Sequence, residues 1–104
     1  MNITYSNSIA TLFGINAALI AAYMNDEIRY SGEEHHKRIW LRCSHNRLRA
    51  IFPFMGKGAV AGALKKLTKS GMLVKRDYNR SRFDRTLSYA FTDYGMALME
   101  GFDG

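Results

Sequence analysis

The sequence predicts an α+β fold, with helices through the first two thirds, a β-hairpin in the last third and a closing helix. Three observations carry this expectation. Apolar residues recur at helical spacing from Ile9 to Met24, and again at Val60, Ala63, Leu64 and Leu67. The second of these helices stops at Gly71 and passes at once into apolar and then basic residues, Met72 to Tyr78, that favour a strand. Beyond a polar loop, Leu87, Tyr89 and Phe91 alternate with period two.

Taken in order, Met1 to Ser8 is a polar lead-in in which Ser6 or Ser8 can cap the helix that follows. From Ile9 to Met24, a bulky stripe of Ile9, Leu12, Phe13, Leu19, Ile20, Tyr23 and Met24 faces a small stripe of Ala10, Gly14, Ala17, Ala18, Ala21 and Ala22. A helix with so little polar surface is buried on more than one side. Either it is the central helix of the domain, or its small face packs on a second copy of the chain. Residues 25–37 are acidic and then His-rich, and Ser31-Gly32 is a loop signal. Residues 38–43 are rich in strand formers around Trp40. Ser44 stands at an N-cap position before a short helix, His45 to Phe52, with Leu48, Ile51 and Phe52 inward. Pro53 ends it.

The next helix runs from Met55 to Ser70, with Lys65, Lys66 and Lys69 in its last turns, where they favour the helix dipole, and Gly71 as a left-handed stop. Residues 72–78 and 86–92 form the two arms of a hairpin across the loop of residues 79–85. Asp93 or Thr92 caps a last helix through Tyr94, Ala97, Leu98 and Met99. That order of helix, strand, helix, turn, helix, strand, loop, strand and helix is the winged helix-turn-helix. It has a three-helix core, a short first strand, a β-hairpin wing and a C-terminal helix. At 104 residues the chain is expected to form one domain, residues 1–104, burying roughly 65% of its unfolded surface.

Charge sharpens the functional expectation. Residues 1–36 carry Arg29 against Asp26, Glu27, Glu33 and Glu34, a balance of −3. Residues 37–85 carry 14 basic side chains against Asp77 and Asp84, a balance of +12. Residues 86–104 return to −3 through Asp93, Glu100 and Asp103. Segregation of this kind is an electrostatic footprint of nucleic-acid binding, against the alternative of a solvated basic face. No apolar run is long enough to span a bilayer, and no basic residue precedes the first apolar run as a secretory signal would require. A cytoplasmic location and no membrane partner are therefore expected. The single cysteine, Cys43, agrees with a reducing compartment.

The run of Trp40, Pro53-Phe54, Val60, Ala63-Leu64, Leu67, Gly71-Met72-Leu73 and Asp84-Arg85-Thr86 with Tyr89 and Thr92 resembles winged-helix domains of phage and plasmid replication proteins. It is most similar to replisome-organiser or replication-initiator N-terminal domains, and more loosely to small winged-helix transcription regulators. The resemblance covers about residues 9–100. It implies that the helix beginning near Lys57 enters the major groove, and that Arg47 and Arg49 flank a backbone. Arg80, Arg82 and Arg85 of the wing would then reach an adjacent groove or phosphates. Two departures stand out: Gly56 replaces a capping Ser or Thr, and Gly58, Ala61 and Gly62 fill places that often hold long polar base readers.

The candidate DNA-contacting set is Arg47, Arg49, Lys57, Gly58, Ala61, Gly62, Lys65, Lys66, Lys69, Lys75, Arg76, Arg80, Arg82 and Arg85. On an ideal wheel, Gly58, Ala61, Gly62, Lys65 and Lys69 form the outward face opposite Val60, Ala63, Leu64 and Leu67. None of the five is an Arg, Asn or Gln suited to bidentate base recognition, so the helix is better made for close backbone approach than for reading sequence. Phe83, between Arg82 and Asp84, either stacks on a base or packs back on the hairpin. Gly56-Lys57-Gly58 lacks the spacing of a phosphate-binding loop. His35, His36, Cys43 and His45 lack a paired metal-ligand spacing, and no nucleophile, base and acid are ordered for catalysis. The expectation is a non-enzymatic protein without metal or cofactor that binds DNA, double-stranded, as a homodimer through residues 9–24 and the C-terminal helix. Its role would lie in phage- or plasmid-type replication or transcription regulation. The alternative is a winged-helix interaction module that docks on replication or transcription machinery without sequence-specific DNA reading.

Overall fold

The computed structural model describes residues 4–101, and among them five helices and a four-stranded antiparallel sheet. Ser6, rather than Ser8, caps α1 (Asn7–Phe13): its hydroxyl accepts from the Ile9 N–H at 3.2 Å. Gly14 then adopts φ +94°, a conformation that ends α1 and turns the chain into α2 (Ile15–Ser31). The single helix expected from Ile9 to Met24 is thus broken early. It also continues beyond Met24, through residues 25–31 that read as a loop. The continuation is held by partly buried Ile28 on the core and ends where Gly32 donates to the Ile28 carbonyl. Ser31-Gly32, the expected loop signal, marks the helix end.

Of the two readings of the alanine face, the structure supports the central helix. Ala17, Ala18 and Ala21 are all fully buried, and α2 packs on α1, α4 and β2. Those three positions of the small stripe are filled within the chain, whereas Ala10 and Ala22 are half-buried and Gly14 is exposed. The apolar side chains left exposed in this region are Leu12 and Ile15 at the α1–α2 corner.

A strand absent from the expectation, β1 (Glu33–His35), pairs with β2 (Arg38–Arg42) through a two-residue turn at His36-Lys37. Ser44 caps α3 (His45–Ile51) by accepting from Arg47 N–H at 3.0 Å. After the Pro53 turn, α4 (Lys57–Lys69) begins at Gly56 with no side-chain cap and buries Val60, Ala63, Leu64 and Leu67. Gly71, at φ +88°, redirects the chain into β3 (Leu73–Arg76), which pairs with β4 (Ser88–Phe91). Thr92, not Asp93, caps α5 (Asp93–Gly101), accepting from Gly95 N–H at 3.0 Å.

The strand order is β1-β2-β4-β3, so β2 from the middle of the chain lies against β4 near its end. Period two then sorts the sheet into faces. Leu41, Leu73, Tyr89 and Phe91 join the core with the helices, whereas Trp40 and Ala90 are buried on the other face, outside that cluster. Trp40 is anchored there by its indole N–H, which donates to the His35 carbonyl at 3.0 Å. Among the described residues, no helix is long and apolar enough to cross a membrane.

Candidate nucleic-acid interface

The exposed side of α4 is divided into two stripes by its neighbours. Residues 61, 65 and 69 follow one another at helical repeat, as do 58, 62 and 66 one position round the wheel. Ala61, Lys65 and Lys69 line a groove of about 420 Å³ whose far wall is Lys75, Leu87 and Tyr89 of the β3–β4 hairpin. His45 at the start of α3 closes one side of it. Gly58, Gly62 and Lys66 instead line a separate groove of about 350 Å³ against Gly14 and Ile15 at the α1–α2 corner. Lys66 points to that corner: its Nζ lies 3.8 Å from where a Cβ on Gly14 would stand. The five residues expected on one outward face therefore serve two surfaces. A Cβ added at Gly58 or Gly62 would meet nothing within 4 Å, so packing does not require either to be glycine.

Lys75 and Arg76 diverge for the same reason of period two. Lys75 shares the helix-side face with Leu73 and enters the groove, while Arg76 lies on the opposite face, its Nη1 donating to the Lys75 carbonyl at 2.8 Å. Lys57 is exposed at the first turn of α4, where the backbone N–H groups lack a capping side chain. Arg49 is exposed on α3. Arg47 is differently occupied: its Nε donates to the Tyr23 hydroxyl at 2.9 Å and its Nη2 stands 3.4 Å from Glu27. The Tyr23 bond and Glu27 raise its pKa, and the arginine ties α3 to α2 with part of its charge offset. Burial raises the Tyr23 phenol as well, against the lowering effect of Arg47.

The loop between β3 and β4 does not project freely. Tyr78 stacks on His35, with ring centroids 4.4 Å apart, and meets Trp40 edge-on at 5.1 Å. Arg42, on the same sheet face as Ser88, pairs with Asp84 and donates from Nε to Asn79 Oδ1 at 3.0 Å. Asn79 Nδ2 in turn donates to the carbonyls of Asp84 and Thr86. Asp84 is thereby drawn to a strand arginine and away from the loop cations Arg80, Arg82 and Arg85, all of which are exposed. Phe83 is 84% exposed, with the Arg82 guanidinium 5.5 Å from its ring centroid, so it does not pack back on the hairpin.

Arg42 and Asn79 are absent from the sequence-derived set, because their pairing joins positions far apart in the chain. Their only local signals are an arginine in a strand and an asparagine in a turn. His35 is engaged with Tyr78 and Glu33, and burial pushes the Cys43 thiol up to about 11. Among the described residues, no three His, Cys, Asp or Glu side chains gather where they could hold a metal ion. No family model, curated protein or solved structure matches this chain.

Proposed function

We propose that this chain is a winged helix-turn-helix that binds double-stranded DNA through the groove between α4 and the β3–β4 hairpin. The carrying observation is that groove itself, where Lys65 and Lys69 of the helix face Lys75 of the strand across a shared opening. Cations on two elements that converge on one concavity match the paired phosphates of a duplex strand better than a uniformly solvated basic surface does. The order of α3, turn, α4 and hairpin, with β2 beside β4, supports the same reading. In it, α4 approaches the major groove and the loop cations Arg80, Arg82 and Arg85 reach neighbouring phosphates. Ala61 and the lysines offer little bidentate base recognition, so affinity is dominated by phosphate contacts and sequence discrimination is modest. Phage- or plasmid-type replication or transcription control is the role this suits, without catalysis.

The test is titration of labelled duplex at two salt concentrations, with wild type and a Lys65→Glu, Lys69→Glu, Arg82→Glu variant. Six to ten phosphate contacts would cost roughly a thousandfold in affinity over a fourfold rise in salt, and the variant should bind weakly with a shallower slope. Equal affinity for both proteins and no salt slope would favour the protein-docking alternative. Random-site selection then reads specificity, and an enriched palindrome would show that two copies bind together.

A further inference from the structure

Phe83 stands apart from the rest of the loop between β3 and β4. It is 84% exposed, although the chain around it is ordered by hydrogen bonds. The Asp84 N–H donates to the Ser81 carbonyl and the Phe83 N–H to the Ser81 hydroxyl, each at 3.2 Å, so Arg82 and Phe83 occupy the centre of a closed turn. Asp84 itself is held by Arg42 and by the Thr86 N–H. The turn thus presents a phenylalanine ring to solvent among Arg80, Arg82 and Arg85, with the carboxylate that stands between them already paired.

The loop is also continuous with the α4 groove. His45, Leu87 and Tyr89 line both that groove and a neighbouring hollow of about 350 Å³, whose other lining includes Ser44, Arg85 and Thr86. A basic track therefore runs from Lys65, Lys69 and Lys75 to Arg85, two residues from Phe83. Charge along a concave track fits a phosphodiester strand, whereas a lipid surface is too flat to enter it and would be offered one apolar side chain. The ring's geometry narrows the occupant further. The Arg82 guanidinium lies over the ring, 5.5 Å from its centroid, which takes one face and leaves the other open. A wedge between stacked base pairs needs both faces, while a single unpaired base needs one. We propose, resting on the DNA reading above, that the target is duplex DNA with an adjoining single strand: phosphates of the duplex lie along the track, and Phe83 stacks on an unpaired base at the junction.

The test compares three fluorescently labelled DNAs: a blunt duplex, the same duplex with unpaired arms at one end, and that fork with abasic arms. Wild type should bind the fork roughly tenfold more tightly than the blunt duplex. Phe83→Ala changes an exposed side chain and should leave the melting temperature unchanged. It should lose that tenfold on the fork and nothing on the blunt duplex, while Phe83→Trp should keep the preference. Abasic arms should cost wild type the same factor and cost Phe83→Ala nothing further, since both changes remove one contact. Salt-dependent duplex binding with no preference for the fork, or undiminished binding to abasic arms, overturns this proposal and leaves the DNA reading standing. No salt-dependent binding to any of the three overturns both. Equal losses by Phe83→Ala on blunt and forked DNA would assign the ring to intact duplex and overturn the proposal. Phe83-dependent binding to phosphatidylglycerol vesicles without a fork preference would assign it to a membrane, with the same consequence.

Discussion

Arg42 illustrates how one side chain positions others. It reaches from β2 to Asp84 and Asn79, and Asn79 carries the hold onward to two backbone carbonyls of the loop. The pair is partly exposed, so Arg42→Ala should cost about 1 kcal/mol or less in thermal denaturation. Its larger effect should be on order: amide exchange across residues 79–85 should accelerate, and duplex affinity should fall more than loss of one remote charge would explain. Arg42→Lys keeps the charge without the fork, so it should reproduce much of the exchange effect. Cys43 poses a different test. Burial raises its thiol from about 9 to about 11, with Arg47 lowering and Glu27 raising it more weakly. A raised folded pKa gives stability that is fully present below about pH 9 and lost as pH rises through about 11. The melting temperature should therefore fall across that window, and less steeply in Cys43→Ala. Some slope should remain, because burial raises Tyr23 and Tyr89 as well. Alkylation of Cys43 at neutral pH should be slow unless the protein is unfolded.

At the scale of elements, the glycines of α4 and α5 have opposite meanings. A Cβ on Gly95 would stand 2.1 Å from the Met72 carbonyl oxygen, a backbone atom, because α5 packs its first turn directly on the chain leaving α4. Gly95→Ala should destabilise by about 2 kcal/mol or more, read by denaturant unfolding. Gly58 and Gly62 face open space, so Gly58→Ala and Gly62→Ala should each stabilise by about 0.5–1 kcal/mol through helix propensity. Because Gly62 lies on the stripe turned to the α1–α2 corner, Gly62→Ala should leave duplex binding unchanged, and weaker binding would count against the proposed docking through the other stripe alone. The division of α4 into two stripes also separates functions: substitutions at Lys65 and Lys69 should reduce binding more than substitution at Lys66, which points to the α1–α2 corner.

Across the whole molecule, Lys65, Lys69 and Lys75 of the basic middle meet at one groove from α4 and β3, while Arg42 and Arg47 are drawn into internal pairs. The sequence by itself determined the kinds and order of most elements, since their signals are local: Ser44 before a short helix, period 3.6 through Val60 and Leu67, a left-handed Gly71, and alternation along β4. It also exposed the poverty of base-reading side chains on α4, which composition alone reveals. Strand-forming residues run past both strands, because β3 and β4 stop where pairing stops, at Arg76 and Ser88. Only the tertiary structure decided where Gly14 breaks the first helix, that the three residues of β1 find a partner, and that α2 buries Ala17, Ala18 and Ala21 within the chain. It alone chose Arg42 as the partner of Asp84 and sent Gly58 and Lys65 to different grooves. The physical reason is range. Caps, stops and periodicity act within a few residues, whereas a short strand, a filled helix face or an ion pair exists only when distant segments of the chain meet.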